Sequence, residues 1–193
     1  MSTGLRERKK AKTRAALQAA ALDLFEHQGY DATTVDQIAE RAEVSQSTFF
    51  RYFPTKEDVV LHDRYDPLLL AELLNQPAEL GPIAALRRTL RSVFGSVPAD
   101  ELARERQRAL LVISVPELRA RMLDQLASTL QPFTDAVATR TGRPPGDPAV
   151  RALTGAVVGV LMSAMLAALE DPEADYVEVM DAALAHLEAG LPI

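Results

Sequence analysis

Between Thr33 and Lys56 the apolar positions fall into two short runs of helical spacing separated by a tight turn. Val35, Ile38, Ala39 and Ala42 share one narrow face about two turns long. Thr34 stands where an N-cap hydroxyl accepts an orphan backbone N–H, and Gln37, three residues on, is placed to reach back in a capping box. After Glu43 and Val44, Ser45 caps a second helix, SQSTFFRYF, which must stop near Phe53 because Pro54 disfavours the α conformation in the residue before it. Val44, Phe49 and Phe53 point back at the first helix and leave Gln46, Ser47, Phe50 and Arg51 outward. Small polar groups, an amide and an arginine suit base edges and the phosphates beside them, and the second helix of a helix-turn-helix is the one that enters the major groove. An ordinary helical hairpin with a solvated polar face is the competing interpretation of this stretch alone.

Upstream, the spacing of Leu17, Ala20, Leu24 and Phe25 predicts a helix from near Arg8 to Gln28, stopped by Gly29, with Tyr30 as a core plug. Downstream, Thr55 and Asp58 set a second capping box, and Val59, Val60 and Tyr65 carry that helix towards a break at Pro67. From there every segment has helical period, with breaks at Asn75–Pro77, Gly81–Pro82, Gly95–Pro98, Pro116 and Thr141–Pro148; nothing alternates with the period of a strand. Pro132 is the expected kink in the segment Pro116–Thr139. The run Ala152–Leu169 carries no charge and is long enough to span a membrane. Its alanines, glycines, Thr154 and Ser163 dilute its hydrophobicity, and no flanking lysine cluster anchors it, so it is expected to be buried in protein. Within it Gly155, Gly159, Ser163 and Ala167 recur every four residues, a ridge along which two helix backbones can approach, and this is the expected dimer interface.

The chain has 193 residues, room for a second all-helical body beyond the recognition unit. It has no cysteine, which removes disulfides, thiolate zinc sites and a cysteine nucleophile, and is compatible with the cytoplasm. The first residues carry charges but no apolar run of the secretory type. A net charge of −6 argues against a nucleic-acid partner only until its distribution is seen. Residues 1–15 hold six basic side chains against Glu7 alone, whereas residues 61–193 hold twelve basic and eighteen acidic ones.

Residues from about Arg8 to Leu61 resemble the DNA-binding domain of TetR-family transcriptional regulators, in LFEHQGYDATTV followed by IAERAEVSQSTFFRYFPTKEDVV. Two positions depart from that pattern. Glu43 replaces the usual turn glycine, which requires a conformation open to other residues, and Phe50 replaces the usual tyrosine and loses a hydroxyl. The C-terminal half resembles mycofactocin-type regulators in its helical pattern. The resemblance implies an all-α protein: a three-helix helix-turn-helix DNA-binding domain at residues 8–55 and a helical bundle for ligand binding and dimerisation at residues 56–193. It also implies DNA contacts from Thr33, Thr34, Ser45, Gln46, Ser47, Thr48, Phe50, Arg51, Tyr52 and Lys56, with phosphate contacts from the basic Arg8, Lys10 and Lys12.

The expected function is that of a homodimeric repressor on a palindromic operator, released by a small apolar or amphipathic effector such as an acyl-CoA. The partners are double-stranded DNA with inverted half-sites, a second copy of the chain and that effector, without a membrane or cofactor. An enzyme would need a nucleophile, base or metal cluster, and three scattered histidines without ligand spacing, His62 among them, do not supply one. The alternative is a membrane-anchored helical protein that uses residues 152–169 as its span.

Overall fold

The computed structural model describes residues 2–171 and 174–192, and no strand occurs among the described residues. In chain order the helices are α1 (Ser2–Gln28), α2 (Val35–Arg41), α3 (Gln46–Tyr52), α4 (Lys56–Leu61) and α5 (Asp66–Asn75). They continue with α6 (Pro82–Phe94), α7 (Ala99–Ser114), α8 (Pro116–Thr141), α9 (Pro148–Glu170) and α10 (Tyr176–Glu188). Two compact units result, one made of residues up to His62 with Gln107–Met122, the other of Asp63–Arg106 with the residues from Leu123 onward.

In the first unit Leu17, Ala21 and Phe25 of α1 pack with Ile38, Phe49, Phe53, Val59 and Val60, closed by Val112 and Leu118. Each large side chain buried in this way stabilises the fold by about 1.5–3 kcal/mol. Helix α1 begins two turns before the expected Arg8, because its alanines, lysines and arginines are strong helix formers and Glu7 and Lys10 pair one turn apart at 2.9 Å. It ends as expected at Gly29, whose φ of +87° suits glycine and whose N–H donates to the Phe25 carbonyl.

Helix α4 is shorter than its apolar pattern predicts. The buried amide of Gln18 donates to the carbonyls of Val59, at 2.9 Å, and His62, at 2.8 Å, and Arg108 donates to that of Val60 at 3.2 Å. Carbonyls freed at the helix end are thereby satisfied by side chains, so the chain leaves the helix before Tyr65. Pro67 does not end a helix but sits in the first turn of α5, where its missing N–H costs nothing.

In the second unit α6 packs on α5 and α10, and α10 on α9. Leu73, Leu86, Leu90, Phe94, Val157 and Leu184 form its core. Arg87 of α6 makes two 3.0 Å bonds to Asp181 of α10 and a third to Glu188 at 2.8 Å. That bonding holds the Asp181 carboxyl below its ordinary range. Arg140 donates to four carbonyls, of Leu73, Gln76, Pro77 and Leu80, at 2.8–3.2 Å, and so closes the C-terminal end of α5. Helix α8 continues through Pro132.

Candidate nucleic-acid interface

The recognition unit is assembled by local rules. Thr34 closes its capping box in both directions, accepting from the Gln37 N–H at 3.3 Å and donating its own N–H to Oε1 of Gln37 at 2.9 Å. Between α2 and α3 the Val44 N–H reaches the Ala39 carbonyl at 2.9 Å. Glu43 holds a φ of +55°, so the turn keeps the left-handed geometry that glycine would serve and does not adopt one friendlier to glutamate. Ser45 then accepts the Thr48 N–H at 3.2 Å and shares its hydroxyl with those of Ser47 and Thr48. Phe49 and Phe53 are fully packed inside, Val44 is half-buried, and Gln46, Ser47, Phe50 and Arg51 are exposed. Phe50 keeps 47% of its surface in solvent while its ring meets Phe49 edge-on.

Beside this face runs a groove of about 750 Å³ lined by Arg6, Lys9, Lys10, Arg14, Arg51 and Tyr52, with Leu5. The Tyr52 ring carries the guanidinium of Arg51 on it at 5.3 Å and that of Arg14 at 5.8 Å. Helical phase decides which basic residues of α1 join. At 3.6 residues per turn Arg6, Lys9, Lys10 and Arg14 share a side, and Arg8 and Lys12 fall on the opposite one. Arg6, Lys9 and Arg14 were therefore missed by sequence reasoning, although the signal that finds them is the helical register of the basic residues.

Two residues expected at the DNA face are turned inward. Thr33 is buried, its hydroxyl donating to the Gly29 carbonyl at 2.8 Å and accepting from Gln28 at 3.1 Å. Lys56 donates to the carbonyls of Tyr30 and Thr33 at 2.9 and 3.1 Å, and its ammonium lies 4.0 Å from the centre of the Tyr30 ring. The Tyr30 hydroxyl in turn donates to Glu57 at 2.8 Å, and burial followed by this bond pushes its pKa up. Arg121 completes the cluster on Thr55, Glu57 and Asp58 at 3.0–3.2 Å. Asp58 is thus occupied in the capping box and this pair, and the neighbouring His62 ring packs edge-on against Phe53. Among the described residues no three histidine, aspartate or glutamate side chains gather in a way that could hold a metal ion.

In the second unit Val150, Val157, Ala164 and Ala168 of α9 face the chain's own core, while Gly155, Gly159, Ser163 and Ala167 lie exposed along one side. A Cβ added at Gly155 or Gly159 would meet nothing within 4 Å. The helix is long and apolar enough to cross a membrane, and 22% of its apolar stretch is buried within the chain. The same unit holds an apolar cavity of about 440 Å³ between α5, α6, α8 and α9, lined by leucines and valines with Pro67, Pro132, Phe133 and Asp66.

Residues 17–62 match the profile described as bacterial regulatory proteins, tetR family, and residues 80–192, more than half of the chain, match the one described as MftR C-terminal domain. The chain belongs to the TetR family. Its members are DNA-binding transcriptional regulators and not enzymes. The regulator TcmR of Streptomyces glaucescens is 46% identical over 101 residues, which are 51% of this chain and 45% of that protein. The chain thus spans less than half of TcmR. A protein described as the transcriptional regulator of mycofactocin biosynthesis, MftR of Mycobacterium tuberculosis, is 27% identical over 95% of this chain and 93% of its own length. Among solved structures, the TetR-family repressor FadR of Thermus thermophilus, in complex with lauroyl-CoA, is 25% identical with a TM-score of 0.54, covering 93% of this chain and 95% of that one. A TetR-family regulator from Syntrophomonas wolfei, 18% identical with a TM-score of 0.67 over 95% of this chain and 98% of its own, shares the fold.

Proposed function

We propose that this TetR-family regulator is a cytoplasmic homodimeric repressor that grips a duplex with inverted half-sites and releases it when a small apolar or amphipathic molecule fills the cavity of the second unit. Residues 8–55 would read DNA, and residues 56–193 would sense and dimerise. The observation that carries the DNA half is the union of an exposed Gln46–Ser47–Phe50–Arg51 face with the groove of Arg6, Lys9, Lys10, Arg14 and Arg51 beside it. The helix face offers base-edge partners, and the groove offers cations for the flanking phosphates. Thr34, Ser45, Ser47 and Thr48 lie where hydroxyls and N–H groups can meet the backbone, whereas Thr33 and Lys56 support the unit from inside. Arg8 and Lys12, on the other side of α1, can reach only phosphates outside that groove.

Dimerisation is supported by the unfilled side of α9. A helix this apolar must bury its remaining face, and a ridge of Gly155, Gly159 and Ser163 lets a second copy approach closely. The same bare face is what a membrane-anchored protein would present, so cell fractionation separates the two readings: recovery in the membrane pool after a salt wash would sink the repressor reading. The decisive experiment is selection of bound sequences from random duplexes, followed by titration of the recovered site and of its isolated half. Inverted repeats bound far more tightly than either half are expected. Recovery of a single unpaired motif would overturn the dimer.

A further inference from the structure

We infer that Phe50 reads a pyrimidine 5-methyl group, that of thymine or of 5-methylcytosine, in each half-site of the duplex; this rests on the proposal that α3 enters the major groove. Of the aromatic side chains among the described residues Phe50 alone is exposed, the others being buried or half-buried, and it stands on the face expected to meet DNA. Its ring meets the buried Phe49 edge-on, with centroids 5.4 Å apart and planes at 86°, a contact that orients it while 47% of the residue stays in solvent.

Helical phase sets which wall of the groove the ring meets. At 3.6 residues per turn Phe50 follows Gln46 by one turn along one flank of α3, while Tyr52 lies ~160° away, on the flank that lines the cationic groove with Arg14 of α1. Arg51 points out between them. The cations thus serve one strand, and Gln46 and Phe50 turn towards the other. A phenyl ring has no hydrogen bond to give the phosphates there, and covering them with it would cost their solvation. The base edges of the major groove are donors and acceptors except at the C5-methyl of thymine, which projects from the outer edge of the base on the side of its own strand. A ring on the flank of the recognition helix is placed to cover that methyl. A hydroxyl at the ring tip could tie the side chain to the backbone; without one, covering Phe50 is favourable only against an apolar partner. The Gln46 amide on the same flank adds hydrogen-bond readout of the neighbouring base edges.

The test uses the duplex recovered by selection from random sequences, resynthesised with deoxyuridine in place of one thymidine at a time. That exchange removes the methyl and leaves the hydrogen-bonding groups of the base pair as they were. Titrated with the full chain, one thymine per half-site should bind about 4-fold more weakly as uracil, and about 15-fold when both half-sites are changed, the worth of one buried methyl in each. At the same position 5-methylcytosine opposite guanine should be bound more tightly than cytosine by a like factor. Phe50→Ala, with its urea midpoint measured alongside, should bind the thymine and uracil duplexes equally. Phe50→Gln, which keeps a long side chain over Phe49, is the second variant and should level them in the same way. Phe50→Tyr keeps the ring and should keep the penalty. Uracil tolerated at every thymine position, or a penalty that persists in Phe50→Ala or Phe50→Gln, overturns the methyl contact and leaves the DNA-binding proposal in place. Recovery of no preferred duplex overturns that proposal itself, and the methyl contact with it.

Discussion

Lys56 and Arg51 lie five residues apart in sequence and are both basic, yet they are placed for opposite tasks. The Lys56 ammonium ties two backbone carbonyls inside the unit, whereas Arg51 is exposed at the groove. Lys56→Ala should therefore lower the urea midpoint by the equivalent of about 1–3 kcal/mol, as the carbonyls lose a charged donor, without changing the salt slope of DNA binding. Arg51→Ala should do the reverse, reducing that slope by about one and leaving the midpoint alone. Glu43 occupies a left-handed conformation, so Glu43→Gly should raise the midpoint, partly offset by the larger entropy of glycine in the unfolded chain. Phe50→Tyr should fold normally, since the ring is already outward, and tighten DNA binding by about 0.5–1.5 kcal/mol if its hydroxyl finds a phosphate. At this scale the sequence was most legible where a partner is three residues away, as in the Thr34–Gln37 and Thr55–Asp58 boxes. The inward turn of Lys56 was not, because its acceptors belong to Tyr30 and Thr33, 26 and 23 residues earlier.

Helical period located almost every element, since each buries one stripe of apolar residues and the breaks carry glycine or proline. It failed where an end is set by a distant side chain: α4 stops because Gln18 and Arg108, 41 and 48 residues from the carbonyls they hold at Val59 and Val60, satisfy its last turn. The period of α9 likewise separates a core-facing stripe from the glycine ridge without saying what covers the ridge. Because a Cβ at Gly159 meets nothing within the chain, Gly159→Leu should leave helix content and monomer folding intact. If the ridge is the interface, it should shift sedimentation towards monomer, with overpacking of about 1–3 kcal/mol at each copy. Between α6 and α10, hydrogen bonding to Arg87 depresses the Asp181 carboxyl. A depressed carboxyl contributes stability above its unfolded pKa of about 4, and that contribution is lost as pH falls through the lower folded value. Urea midpoints of Asp181→Asn and wild type should accordingly differ at neutral pH and converge in acid; a gap that persists at the lowest pH would assign the effect to something other than ionisation.

Across the whole chain, charge is divided between an N-terminal run that is strongly basic and a larger remainder that is acidic, within a net charge of −6. DNA affinity should fall by about 0.9 log units per log unit of salt for every phosphate contact, and the five cations of the groove would make that fall steep for each half-site. Affinity independent of salt would exclude the groove from the interface. The inward ammonium of Lys56 has a consequence for covalent chemistry as well. The protein has four lysines, and three of them, Lys9, Lys10 and Lys12, lie on the exposed start of α1 while the fourth is hydrogen-bonded beneath Thr33. Under an amine-acylating reagent in limiting amount, the first three should be tagged quickly and Lys56 more slowly, because its half-buried ammonium must first leave the Tyr30 and Thr33 carbonyls. Its tagging rate therefore reports how readily that contact opens, while shielding of Lys9 and Lys10 by a duplex reports occupancy of the groove in the same digest.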